Sequence, residues 1–163
     1  MRIRTLPCCL ALGIAGLAGV ASQAEATDFT TIVVSTEVAA PAAQVWKEVG
    51  DFCGVSAWLK MKCAYISGNG GLGTVRQLAG RVDEVMVAQT PRSYTITQPA
   101  NKDEFHATLG VEPAGPHASK IIYSVVYDQS NLAPGETKEK YRAQHVRMYT
   151  GALAQMKKRV EGK

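Results

Sequence analysis

Residues 136–160, ETKEKYRAQHVRMYTGALAQMKKRV, decide how the rest of the chain is read. Tyr141, His145, Met148, Tyr149, Ala152, Met156 and Val160 recur three or four positions apart, the spacing that gathers side chains on one face of an α-helix. The stretch predicts an amphipathic helix of about six or seven turns, long enough at about 1.5 Å per residue to lie across a whole sheet. Lys157, Lys158 and Arg159 stand at its end, where cations are stabilised by the negative pole of the macrodipole. A solvated helix end fits this cluster, and so does a weak contact with an anionic lipid or acidic partner.

Upstream of residue 136 the period is two, not three and a half. Met61 to Ser67, Gly73 to Ala79, Val82 to Ala88, Arg92 to Gln98, Glu104 to Glu112 and Lys120 to Asp128 read as strands, each bounded by Gly, Pro or Asn. Gly68-Asn69-Gly70-Gly71 supplies a hairpin turn that tolerates positive φ, and Asn131 to Gly135 is a loop before the helix. A first strand runs from Asp28 to Val38, with Ile32, Val34, Thr36 and Val38 on one face. Pro41 suits the first turn of a helix over Ala42 to Val49, whose buried side carries Val45, Trp46 and Val49. Gly50-Asp51 interrupts it, and Asp51 is expected to cap a second short helix through about Leu59, where Phe52, Val55 and Trp58 repeat at helical spacing. One strand, two short helices, six further antiparallel strands and one long helix make an α+β domain, not a doubly wound one.

Residues 1–26 read as a cleaved signal peptide. Arg2 and Arg4 precede an apolar run from Leu6 to Ala21, and Ala24-Glu25-Ala26 places small side chains where a signal peptidase looks. An uncut membrane anchor is the alternative, but the run is shorter than the roughly 20 residues a span prefers. The expectation is therefore one domain over residues 27–163, periplasmic or secreted, without a stable membrane anchor. Cys8 and Cys9 leave with the leader. Without Arg2, Arg4 and Glu25 the chain keeps 16 basic and 13 acidic side chains, a net charge of +3 against +4 for the whole. That excess is too mild and too scattered for a nucleic-acid partner.

The residues Ala40-Pro41-Ala42-Ala43-Gln44-Val45-Trp46, then Gly50-Asp51-Phe52 with Trp58 behind it, and Gly73-Thr74-Val75-Arg76 resemble the START-like or Bet v 1-like (SRPBCC) superfamily, in its polyketide cyclase/dehydrase-like branch. The resemblance covers essentially all of residues 27–163. It implies a helix-grip fold: a seven-stranded curved antiparallel sheet wrapped around the long C-terminal helix, with two short helices after the first strand. Such a sheet and helix leave a space between them that suits a small ligand. The motifs point more firmly to fold than to activity, because the same scaffold hosts lipid carriers, plant hormone receptors and aromatic cyclases. Members commonly carry a proline shortly after the tryptophan and a longer gap before the second strand; Leu59-Lys60-Met61-Lys62 is compact here, which implies a differently shaped cavity mouth.

Cys53 and Cys63, ten apart, are the thiols that remain after processing. An even count in an oxidising compartment points to a disulfide; free buried thiols and a redox or metal role are the alternatives, and the spacing is not that of a dithiol oxidoreductase. No histidine pair stands ready to complete a zinc site, so neither a metal nor a cofactor is expected. His106, His117 and His145 are dispersed, and no local pattern joins a Ser or Cys nucleophile to a histidine and a carboxylate. By resemblance Arg76 turns toward the interior, where a guanidinium must be paired or face an acidic ligand; Glu84 on the next strand is the candidate partner. Tyr94, Phe105, Tyr123, Tyr127, Tyr141 and Tyr149 fit either a core or a greasy pocket with a few orienting hydroxyls.

The expected function is a periplasmic or secreted binding protein for a small hydrophobic or amphipathic ligand. Its candidate contacts are Arg76, Tyr94, Phe105, Tyr123, Tyr127, Tyr141, His145, Met148 and Tyr149. A cyclase or dehydratase, in which Arg76, a tyrosine or His145 polarises a carbonyl and moves a proton, is the second reading. A third is an accessory protein of a periplasmic redox system such as methanol oxidation, which would add a periplasmic protein partner.

Overall fold

The computed structural model describes residues 27–162. The leader expected over residues 1–26, with Cys8 and Cys9, lies outside the described residues. The elements follow in the order β1 (Phe29–Val38), α1 (Ala42–Val49), α2 (Val55–Trp58), β2 (Cys63–Ser67), β3 (Val75–Leu78), β4 (Val82–Thr90), β5 (Ser93–Thr97), β6 (His106–Pro113), β7 (Ser119–Asp128) and α3 (Lys138–Glu161). The strands form one seven-stranded sheet in the order β1-β7-β6-β5-β4-β3-β2, every neighbouring pair antiparallel. This is the α+β class that the element order predicts and the helix-grip arrangement that the resemblance implies. Register shifts at Tyr65/Ser67 and Met86/Ala88 bend β2 and β4, as an extra residue in one strand of a pair does.

One face of the sheet is covered. Ile32, Ile96, Leu109, Ile121 and Val125 alternate with exposed or half-exposed neighbours along their strands and pack beneath α1 and α3 through Val45, Val49, Leu153 and Met156. In β1 the buried or half-buried set is Ile32, Val34, Thr36 and Val38, as the alternation predicts, with Thr30 added at the start. Thr137 caps α3 by accepting from the Lys140 N–H, and Gly162 closes it in the left-handed region at φ 69°.

Several boundaries differ from the sequence reading, and most have one physical cause. Lys60, Ala79 and Glu104 adopt positive φ although none is glycine. Lys60 turns the chain so that β2 begins at Cys63 and not Met61; Ala79 ends β3 at Leu78; Glu104 delays β6 to His106. Gly73, also at positive φ, moves the start of β3 to Val75. At the other hairpin β4 runs on to Thr90, which pairs with Ser93 across a two-residue turn.

Three further expectations need correction. Pro41 precedes α1 as its cap residue and does not enter the first turn. Asp51 caps nothing with its side chain; its carbonyl accepts from Gly54 N–H in a turn, and α2 shrinks to Val55–Trp58. The Phe52 carbonyl is claimed by Arg76, so it does not join a helical ladder there. On α3 the inward stripe holds Ala152 and Met156 but adds Leu153, while Met148 is 54% exposed.

Candidate functional site

A cavity of about 240 Å³ lies between α2, the β3–β4 hairpin and α3. Val55, Trp58, Met61, Leu78 and Ala152 supply apolar walls, Leu59 and Met148 stand exposed among its lining residues, and Arg76, Glu84, Gln98, Tyr123 and Tyr149 bring polar atoms to it. A larger hollow of about 500 Å³ occupies the opposite face of the sheet, around Ser93, Thr108, Gly110 and Ser124. Those residues alternate with the buried Tyr94, Leu109 and Tyr123, so that hollow is an open groove on the outer surface and not an interior. The smaller cavity is the one with buried walls and convergent polar groups, the combination that small-molecule sites share.

Arg76 and Glu84 face each other in register on β3 and β4, both almost fully buried. Arg76 Nε donates to Glu84 Oε2 at 2.7 Å, Nη2 lies 2.6 Å from the same oxygen, and Nη1 donates to the Phe52 carbonyl. Gln98 Nε2 holds the other carboxylate oxygen at 2.9 Å. The guanidinium also lies 4.3 Å from the Phe52 ring centroid. Burial works against the Arg76 charge, but Tyr94 and Glu84 outweigh it and leave the arginine more basic than usual. Burial likewise raises the hydroxyls of Tyr94, Tyr123 and Tyr149 above the ordinary tyrosine range, so all three stay protonated at neutral pH. Two polar atoms in this region, Trp58 Nε1 and Tyr94 Oη, are buried without a hydrogen-bond partner in the protein.

The nine candidate contacts fall into two groups. Arg76, Tyr123, Met148 and Tyr149 line the cavity, and Tyr94 stands behind Arg76 with its ring centroid 5.8 Å from the guanidinium. Phe105, Tyr127, Tyr141 and His145 pack on one another toward the start of α3. His145 is 4.4 Å from Tyr141 and 5.0 Å from Tyr127 between ring centroids, with Phe105 at 6.3 Å. The His145 Nδ1–H donates to the Tyr141 carbonyl at 3.0 Å, and the Tyr141 hydroxyl donates to Asp103. Tyr149 joins the groups, 4.9 Å from Tyr123 and 6.3 Å from His145. Among the residues sequence reasoning did not assign to the site are Trp58, Met61, Gln98 and Ala152. Trp58 and Ala152 carried a visible signal, their places on apolar helical repeats; Gln98 carried none.

Cys53 and Cys63 form a disulfide, with Cα atoms 5.6 Å apart, which ties the turn before α2 to the start of β2 beside the cavity. His106 and His117 are exposed and away from it. Among the described residues no group of three or more His, Cys, Asp or Glu side chains is placed to hold a metal ion, and no helix is long and apolar enough to cross a membrane.

Residues 30–161 match the family model described as polyketide cyclase / dehydrase and lipid transport. Among solved structures the chain is similar to the ZhuI aromatase/cyclase of Streptomyces sp. R1128, with a TM-score of 0.67 and 16% identity over 82% of this chain and 94% of that one. It is also similar to a START superfamily protein of Mycobacterium smegmatis, with a TM-score of 0.66 and 14% identity over 81% and 97% of the two chains. A protein of Nitrosospira multiformis gives 0.66 and 17% over 78% and 93%. Identities this low establish a shared fold and nothing finer. Comparison with curated proteins finds no match.

Proposed function

The chain belongs to the polyketide cyclase/dehydrase and lipid transport family, within the START-like or Bet v 1-like superfamily, and we propose that it is a binding protein for one small hydrophobic or amphipathic molecule. The observation that carries this reading is the cavity itself: apolar walls from α2, β3 and α3, with tyrosine hydroxyls and a closed ion pair among its polar groups. Its volume, about 240 Å³, sits just below the roughly 300 to 1,000 Å³ of drug-sized pockets, which favours a guest of one or two rings or a short chain. The leader-like character of residues 1–26 and the Cys53–Cys63 bond support action in the periplasm or outside the cell.

A cyclase or dehydratase would need Arg76 free to polarise a carbonyl and a proton carrier within reach. Each of the three Arg76 nitrogens already has a partner in Glu84 or Phe52, and His145 is not among the residues lining the cavity. The occupied arginine is what favours binding over turnover, since Tyr123 and Tyr149 do bring hydroxyls to the cavity.

Native mass spectrometry of the protein purified from periplasmic extract tests the proposal. An added small-molecule mass is expected, and Ala152→Phe, which puts a ring into the cavity from α3, should abolish it. A bare protein mass, together with no uptake of an environment-sensitive apolar dye, would overturn the binding role.

A further inference from the structure

The binding role leaves the polarity of the guest open, and the buried charges bear on it. Arg76 is the one buried cation among the described residues, and Glu84 is paired with it. Glu84 holds two of its nitrogens, the Phe52 carbonyl takes the third, and Gln98 ties down the second Glu84 oxygen. The inner wall therefore carries one positive and one negative charge, already joined. A carboxylate arriving there would shed its hydration and find a second carboxylate already beside that guanidinium.

A neutral oxygen meets the opposite situation. Trp58 is 4% exposed and lines the cavity with its ring, while its Nε1–H, which has no acceptor in the protein, is covered by neighbouring atoms. Tyr123 and Tyr149 line the same space, and burial keeps their hydroxyls protonated and able to donate. Tyrosine donors at the cavity, beside a charge that is already neutralised, suit an uncharged acceptor.

We propose that the cavity takes an uncharged amphiphile whose polar end is a phenol, alcohol or ketone oxygen, that it turns carboxylates away, and that Glu84 sets this preference by occupying Arg76. Glu84 acts through the arginine and is in that sense a positioning residue. The inference rests on the binding role above.

The test uses a matched pair of ring compounds, 2-naphthol and 2-naphthoate, titrated calorimetrically into the whole folded protein at pH 7. Arg81, exposed at the rim, is the other cation of the lining, so the titrations are run at 0.15 M salt, where screening acts over about 8 Å. Wild type should bind 2-naphthol tighter than 2-naphthoate by at least about tenfold, given the cost of an unpaired buried charge. Glu84→Gln, which keeps a hydrogen-bonding oxygen beside Arg76 but frees its charge, should strengthen 2-naphthoate binding by at least about tenfold and shift 2-naphthol less. A merely structural role for Glu84 would weaken both ligands together. Equal or tighter binding of 2-naphthoate to wild type overturns the proposal and leaves the binding role standing, as does an unchanged ratio in a folded Glu84→Gln protein. Binding of neither compound to wild type overturns both. If Glu84→Gln does not fold, the wild-type ratio decides alone.

Discussion

Replacing Arg76 by Met should cost the fold several kcal/mol at pH 7, and most of that loss should vanish on mild acidification. Arg76 is 4% exposed and Glu84 6%, so the substitution leaves a carboxylate in the interior with Gln98 as its remaining partner. Orphaning one member of a buried pair typically costs about 3 to 5 kcal/mol. Taking a proton is the escape open to a bare buried carboxylate, and for an ordinary glutamic acid that costs about 3.7 kcal/mol at pH 7 but about 1 kcal/mol at pH 5. The deficit of Arg76→Met should therefore shrink by about 2 to 3 kcal/mol between these two pH values. Urea unfolding of both proteins at each pH, with matching m-values as the check on two-state behaviour, measures it. The double variant Arg76→Met/Glu84→Met removes both charges and should recover most of the loss, because apolar replacements of a buried pair are often neutral. A deficit below about 1 kcal/mol at pH 7, a deficit indifferent to pH, or strict additivity in the double variant would refute the reasoning.

Three other outcomes follow from the same structure. Cys53→Ala/Cys63→Ala opens a loop closed across a separation of 10 residues and should cost about 2.7 kcal/mol by loop entropy, seen as a lower urea midpoint; a change within about 0.5 kcal/mol would remove the bond from the account of stability. Gly68→Ala should cost about 1 to 3 kcal/mol, because φ is +80° and the new Cβ would sit 2.8 Å from the Thr74 Cα; an unshifted melting curve would contradict it. Burial holds Tyr94, Tyr123 and Tyr149 above the ordinary tyrosine pKa, so their contribution is complete below about pH 10 and is lost above it as the unfolded chain releases protons first. The melting temperature should fall above that pH, less steeply in Tyr123→Phe, and a flat profile to strongly alkaline pH would count against it.

The order of elements is legible because its signals are local. Period-two apolar positions in β1, β6 and β7, Pro41 before α1, and the three-to-four spacing of α3 each need only a few neighbouring residues. The missed strand ends at Lys60, Ala79 and Glu104 are positive-φ residues whose side chains do not announce that conformation. Tertiary contacts impose it: Ala79 N–H is held by the Lys62 carbonyl, a partner just ahead of β2. The Arg76–Glu84 pair was legible for the opposite reason. A tight β3–β4 turn puts positions 76 and 84 opposite each other, so a buried arginine finds a carboxylate by register alone. Gln98 follows directly after β5, one strand further, and enters only once the sheet is assembled.

The cavity lies where it does because of the size of the side chains along α3. Nearer the start of the helix, Tyr141 and His145 fill the space beneath them with their own rings, stacking on Tyr127 and Phe105. Further along, Met156 and Leu153 are fully buried against the covered face of the sheet. Between these filled stretches the inward position is Ala152, whose methyl group cannot reach across to Leu78 and Trp58, and the gap opens at that level. A stripe read only as apolar and helical gives no hint of this, since alanine, methionine and tyrosine all satisfy the period equally. Volume along the stripe separates a sealed core from a hollow, and it does so only against the opposite wall that α2 and the β3–β4 hairpin provide. Tyr149 therefore belongs to both regions: its ring closes the aromatic stack on one side and lines the hollow on the other.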